Sequence, residues 1–373
     1  MVAATYITLL CLIVVVVCIV FVRLESALRR HHYKPAAHVK DLPTISVCIP
    51  ARNEMHAMTE CLERVLASDY RKLEIIVLDD SSVDDTSMLV KSFAHAGVRF
   101  IEGRSLPEDW LGKNNALQGL LDEASGKYVL FLDVDTTIRP ESITRLVEVV
   151  IEKDLQLTSV MPQREDGLRA SIFLGTLRYF WLLLRGSRRH PAVSAASWLV
   201  RREPLVSIGG FNDTKLDTNP EIAIAKALGA TDGRQLLISN KTLGISYEKK
   251  WSSQVETGIR LLTPLFGGSL RTMACGILLL GVVLVPLVGL VASLIMNSVF
   301  GAAIALVALG LITAVSLRFF HVAWRYGWWL GAVHWPYVVL QEAVLMFVSA
   351  IAYRLNKVTW KGRPIQTPSQ LSK

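Results

Sequence analysis

A doubly wound α/β sheet flanked by membrane helices is the fold class this sequence predicts, on three observations. Apolar runs of strand length end in acidic or polar tips and lead into helix-like stretches, and this unit repeats. Met1 to Val22 carries no charged side chain and is long enough to cross a bilayer. Three further apolar segments, about 272–295, 298–317 and 333–352, close the chain.

Composition agrees. Of 373 residues, 51% are hydrophobic and 19% charged, with a formal net charge of +8, which is too apolar for a disordered chain. A basic balance in an apolar chain suits anionic membrane surfaces and anionic ligands. No zinc-finger spacing or aromatic-basic strand signature is present, so nucleic acid is not expected as a partner. The five cysteines form neither a disulfide framework nor a metal-ligand spacing, which fits a reducing compartment.

Residues 1–22 read as an N-terminal transmembrane anchor and 23–43 as a basic juxtamembrane linker, with Arg23, Arg29, Arg30, Lys34 and Lys40. Positive charge after the apolar run places the N-terminus outside and the rest in the cytoplasm. A cytoplasmic α/β domain is expected over 44–262. Its first strand is Thr44 to Ala51, leading into Arg52-Asn-Glu54 and a helix from Met55. A second buried strand, Leu73 to Leu78, ends at Asp79 and Asp80, and Ser81 to Thr86 then opens a helix. Ligands of such sheets lie at the carboxyl ends of the strands, so Asp79 and Asp80 are assigned to a nucleoside. Helix capping is their plainer alternative.

Gly112-Lys-Asn-Asn-Ala-Leu117 opens another helix, whose first turn places Lys113 where a phosphate can bind. Asn114 and the wide glycine spacing rule out a nucleoside-triphosphatase loop. Tyr128 to Leu132 reads as a buried strand running into Asp133-Val-Asp135. An extended chain there puts both carboxylates on one side. A divalent cation, Mg or Mn, with a ligand phosphate is their natural partner. Nucleotide-sugar transfer uses such a pair, and so do haloacid-dehalogenase-like phosphatases. The phosphatase pattern belongs at a domain's first strand, whereas here two strand-helix units precede it. A membrane phosphohydrolase using Asp133 and Asp135, and a non-catalytic membrane scaffold, stay as alternatives.

Four ordered motifs carry a family resemblance: Ile49-Pro-Ala-Arg-Asn-Glu54, Leu78-Asp-Asp-Ser-Ser-Val-Asp-Asp-Thr86, Gly112-Lys-Asn-Asn-Ala-Leu117 and Phe131-Leu-Asp-Val-Asp135. Over about 44–260 the chain resembles the family-2 glycosyltransferases of the GT-A fold. The resemblance implies a nucleotide-sugar donor, usually a UDP-sugar. Pro50, Arg52, Glu54, Asp79, Asp80, Lys113 and Asp133 would bind it, and Asp135, with Asp133, would hold the metal. At the helix opened by Pro220, Glu221 stands for the family's acidic base, with Asp217 in reserve.

Tyr247, Lys250 and Trp251 stand where processive relatives carry Gln-x-x-Arg-Trp, which is absent in that form. A helix over about 170–187 is apolar nearly all round, with Ser171, Arg178 and Arg185 as a narrow basic stripe. It is read as lying in the headgroup layer, a buried core helix being the alternative. The C-terminal membrane segments are expected within 272–355 and a basic tail over 356–373. Pro336, Gln341 and Glu342 in the last segment favour a broken or re-entrant helix and a cytoplasmic tail. Val358-Thr-Trp-Lys-Gly-Arg-Pro364 resembles the tail of bacterial carotenoid glycosyltransferases and, more loosely, of hopanoid and ceramide glucosyltransferases. It puts Lys361 and Arg363 near the diphosphate. The expected reaction is inverting transfer of a sugar, glucose by resemblance, to a hydroxylated carotenoid, another isoprenoid or a sphingolipid-like lipid, at the cytoplasmic face of the cell membrane by a multi-pass protein.

Overall fold

β-Branched and aromatic runs form strands where their neighbours bury them on both faces. The computed structural model describes residues 2–165, 177–187, 191–229 and 233–365. In chain order the elements begin with α1 (Val2–His31), β1 (Ile45–Ala51), α2 (Met55–Leu66), β2 (Leu73–Asp79), α3 (Thr86–Ser92) and β3 (Val98–Glu102). There follow α4 (Gly112–Glu123), β4 (Tyr128–Leu132), β5 (Thr136–Ile138), α5 (Ser142–Glu152), β6 (Leu157–Met161) and β7 (Gln163–Arg164). Next are α6 (Arg178–Arg185), β8 (Ser197–Arg201), α7 (Arg202–Ser207), α8 (Pro220–Ala227), β9 (Arg234–Ile238) and β10 (Ile245–Tyr247). The chain continues through α9 (Trp251–Phe266), α10 (Ser269–Ile295), α11 (Val299–Ala323), α12 (Trp328–Val333) and α13 (Trp335–Arg354). It closes with β11 (Thr359–Trp360) and β12 (Arg363–Pro364).

Two compact units result. The sheet unit holds His31–Arg164, Arg185–Glu248 and Thr359–Lys373. Its seven-stranded sheet runs β3-β2-β1-β4-β8-β6-β9. β1 to β4 are parallel, and β8 is antiparallel to both β4 and β6, so the sheet is mixed. One face buries Leu62, Val77, Leu130 and Val147, and the other Ile76, Leu117, Phe131 and Trp198. Phe131 stacks on Trp198 at 4.5 Å and meets Phe211 edge-on at 5.5 Å. Burying each such ring contributes roughly 1.5–3 kcal/mol.

The strand order reverses between β1 and β4, the place where such sheets bind ligands. Local sequence opens that point. The β1–β2 ladder runs on to Ala51↔Asp79, but the β1–β4 ladder stops at Cys48↔Phe131. Pro50 lacks an N–H and sits just past that stop, where no partner is needed on the β4 side.

The helical unit holds Met1–Arg30, Glu165–Leu184 and Lys249–Val358. Helices α1, α10, α11 and α13 are long and apolar enough to be candidate membrane spans. Leu262 and Phe266 of α9 pack with Leu345 and Met346 of α13. An apolar cavity of about 280 Å³ lies within this unit, lined by side chains including Val17, Phe180, Trp181, Phe266, Val283 and Phe319.

Three boundaries differ from the sequence expectation. The first helix does not end at Val22 but continues to His31, because Arg23 to Arg30 are good helix formers and Leu24, Ala27 and Leu28 are buried. The expected linker is therefore short, and it is tied to the sheet unit. His32 bridges Ile238, and His38 Nδ1 lies 2.8 Å from Glu148 Oε1. Residues 249–262 belong to the helical unit, since the apolar face of α9 is buried there. Residues 359–365 are no separate tail, because β11 and β12 pair as a hairpin in the sheet unit. Of the helix expected over about 170–187, residues 170–176 lie outside the described residues. The described part, α6, turns Tyr179 and Leu183 inward and packs Trp181 against Phe266 and Phe180 against Phe319.

Candidate functional site

The carboxyl ends of β1, β2 and β4 gather the charged residues that the sequence singled out. Just past β1, Arg52 donates to the carbonyl oxygens of Asp80 and Ser81. Asn53 takes a left-handed φ of 52° and Ser81 one of 55°. Such backbone is tolerated when side chains over-determine it. Here Asn53 N donates to Ser82 Oγ at 2.9 Å and Val83 N to Asn53 Oδ1 at 2.9 Å, locking the two strand-end loops together.

Asp79 and Asp80 have different surroundings. Asp79 accepts from the hydroxyls of Ser82 and Ser87, so it organises its own loop. Asp80 is 2% exposed and accepts from Arg363 at 2.8 and 2.7 Å. Burial raises its carboxyl above the usual range, while Arg363 and Arg52 pull it down.

After β4 the chain is not extended. Thr136 N donates to Asp133 O at 2.9 Å, closing a turn over Asp133–Val134–Asp135. The expectation of two aspartates sharing a strand face is thus replaced by a turn. The reason is that β5 begins at Thr136 and must pair with β10 in a second, three-stranded sheet. Asp133 accepts from Lys113 Nζ, in the first turn of α4, at 2.8 Å. The oxygen or nitrogen donors of Glu54, His56 and Asp135 lie within 4.8 Å of one another and form a group able to hold a metal. Two carboxylates and an imidazole suit Mn or Mg with donor oxygens completing the shell. His56 was not visible from sequence, because the ligand set joins a helix start to a distant strand end.

The C-terminal hairpin completes this face. Lys361 Nζ lies 2.8 Å from Glu54 Oε1, and Arg52 Nε donates to Lys361 O at 3.4 Å. Gly112 admits the hairpin: a Cβ there would stand 2.8 Å from Asp80 Oδ2 and 2.9 Å from an Arg363 nitrogen. Tyr247 lies on β10 opposite Thr136, one residue from Asp135. Lys250 and Trp251 fall in the helical unit, at the start of α9.

Glu221 is 4% exposed in the first turn of α8, behind Pro220 at its start. The loop before it is held by Asn114, whose side-chain amide donates to the carbonyls of Thr214, Lys215 and Asp217 at 2.7, 3.1 and 2.9 Å. Asn114 is thus a positioning residue that motif reading passed over. Desolvation raises the Asp217 carboxyl above the usual range, with Lys226 opposing.

Comparison with known proteins gives a consistent result. The family described as Glycosyl transferase family 2 matches residues 46–205. A probable glycosyltransferase, YdaM, of Bacillus subtilis is 25% identical over 199 residues, 50% of this chain and 47% of that protein. The undecaprenyl-phosphate 4-deoxy-4-formamido-L-arabinose transferase of Pectobacterium atrosepticum is 29% identical over 168 residues, 41% of this chain and 51% of that protein. The chain spans about half the length of the curated relatives it matches. Among solved structures, the mannosyltransferase PcManGT of Pyrobaculum calidifontis, in complex with GDP-Man and Mn2+, superposes with a TM-score of 0.59 at 18% identity, covering 96% of this chain and 100% of that one. The switch point between β1 and β4, its acidic strand ends and these matches together identify a Glycosyl transferase family 2 domain on a GT-A-like α/β fold.

Proposed function

We propose that the protein moves a sugar from a nucleotide-diphosphate donor, a UDP-sugar, to a membrane lipid with inversion at the anomeric carbon. The observation that carries this reading is the meeting of Lys113–Asp133, Asp80–Arg363 and the Glu54–His56–Asp135 group at the sheet's switch point. Two cations and a metal-binding group beside a helix start suit a diphosphate. Asp80 and Arg52 lie on the nucleoside side. When bound, a divalent cation neutralises charge on the departing diphosphate. Mn2+ accompanies the donor in the mannosyltransferase neighbour, which supports a metal here.

Glu221 takes the proton of the acceptor hydroxyl as its oxygen attacks the anomeric carbon. Lys113, Lys361 and Arg363 hold the diphosphate as the bond to it breaks. Glucose is the sugar favoured by resemblance, and a hydroxylated carotenoid or a sphingolipid-like lipid the acceptor. The apolar cavity of the helical unit suits a hydrocarbon chain. The undecaprenyl-phosphate name of one relative favours a polyisoprenyl phosphate as second acceptor class. The setting is the cytoplasmic face of the cell membrane, reached by several membrane spans.

Purified full-length protein, given UDP-glucose and membrane lipid extract, is expected to release UDP and glycosylate a lipid identifiable by mass spectrometry. Asp135→Ala lowers the rate by more than about tenfold, or about 1.4 kcal/mol of barrier. Glu221→Gln retains UDP binding and loses transfer. An active Glu221→Gln beside a dead Asp217→Asn would move the base to Asp217. Release of inorganic phosphate instead would indicate a phosphohydrolase, and no release with any nucleotide sugar a scaffold.

A further inference from the structure

We propose that Lys361 is an internal competitor for the divalent-cation site formed by Glu54, His56 and Asp135, so that cation binding and release of the β11–β12 hairpin are one event. This rests on the metal-dependent reading above and gives the cation a second role. Three observations carry it. The donor atoms of Glu54, His56 and Asp135 lie within 4.8 Å of one another. The fold already places a cation against one of them, since Lys361 Nζ is 2.8 Å from Glu54 Oε1 with Glu54 only 12% exposed. Lys361 holds that position from a left-handed backbone, φ 48°, at the tip of a two-strand hairpin. Strained tips with few ladder bonds open at small cost.

The electrostatics set the direction. A carboxylate shared by an ammonium and a divalent ion at this range leaves two positive centres in repulsion. The divalent ion, with two further ligands, displaces the ammonium. Lys361 then leaves Glu54 carrying a positive charge two residues from Arg363, which suits both to the diphosphate of an incoming donor. In the absence of cation the hairpin stays clasped on Glu54 and Asp80, so its two side-chain cations are held by those carboxylates instead of being offered to the donor. The site therefore becomes receptive to an anionic donor only after the cation is in place.

The test is direct Mn2+ binding to the full-length protein in detergent, without donor or acceptor, read by electron paramagnetic resonance. His56→Ala is expected to weaken binding about ten- to a hundredfold. Lys361→Gln is expected to tighten it at least about tenfold, and Lys361→Arg to leave it near wild type. Hairpin release is read independently as trypsin cleavage after Lys361, which Mn2+ should accelerate in the wild type and not in His56→Ala. His56 is exposed, so its removal leaves folding intact. Unchanged Mn2+ affinity in either His56→Ala or Lys361→Gln, or no Mn2+ binding by the wild type, overturns the proposal even if sugar transfer is observed. The expected binding pattern without any transfer would keep this coupling and overturn the functional reading instead.

Discussion

Asp80 shows how one buried carboxylate ties the donor face to the C-terminal hairpin. Its carboxyl is held above the usual range by burial, so the folded chain keeps a proton that the unfolded chain releases. That contribution to stability is lost as pH rises through the folded-state pKa. Arg363 offsets the cost of ionisation through its two hydrogen bonds. Arg363→Met removes the offset and raises the folded-state pKa further. The variant is therefore expected to lose about 1–3 kcal/mol where Asp80 is ionised. The deficit should be largest at alkaline pH, where the carboxyl is ionised, and shrink at acidic pH as it protonates. Thermal unfolding in both ranges checks this, and equal deficits would show that Asp80 is not the source. Most such residues were legible, because acidic tips at the ends of apolar runs mark strand ends. The difference between Asp79 and Asp80 was not, since it depends on Ser82, Ser87 and Arg363 arriving from separate segments.

At the scale of elements, a buried carboxylate of α13 holds the start of α6. Glu342 is fully buried on α13, accepting from Leu177 N at 3.0 Å and Trp181 Nε1 at 2.8 Å. Glu342→Leu leaves two donors without this acceptor, at about 0.6–2 kcal/mol per bond in a membrane setting. We expect lower thermal stability in detergent and faster trypsin cleavage at Arg185, with Glu342→Gln intermediate because one acceptor oxygen remains. Wild-type cleavage rates in Glu342→Leu would detach α6 from this bond. Long periodic elements were readable from sequence: β1, β2, β4 and the apolar helices stand close to where their patterns put them. The hairpin of β11 and β12 was not, because two-residue strands carry no period. The antiparallel direction of β8 was also hidden, since a buried strand has the same composition in either direction.

At the scale of the whole molecule, the path of the last apolar helix decides which side of the membrane the tail occupies. The sheet unit precedes α10, and α10 and α11 read as an outward and a returning span. A third full crossing by α13 would carry the tail to the opposite side. Yet Lys361 and Arg363 pair with Glu54 and Asp80 of the sheet unit. We propose that α13 re-enters rather than crosses, on contacts within the helical unit. Trp335, at the start of α13, donates to Thr313 Oγ1 at 3.0 Å, ten residues before the end of α11, so α13 begins beside the interior of α11. At its other end Ser349 bonds Thr263, and Tyr353 donates to Arg260 O, both on α9. The short α12 joins α11 to α13, and its Gly331 lies close against Phe320 and Trp324. A segment that dips in and returns also keeps Glu342 among protein groups rather than lipid. We therefore expect Ser369→Cys to be protected from a membrane-impermeant thiol reagent in intact cells and labelled after permeabilisation. Lys91→Cys, exposed on α3 of the sheet unit, is the control. Cys48 and Cys61 are buried, with the Cys61 thiol pushed up to about 12 by desolvation, so they add little background once Cys11, Cys18 and Cys275 are replaced. Labelling of the tail in intact cells while Lys91→Cys stays protected would put three full crossings after the sheet unit and separate Lys361 and Arg363 from the donor face.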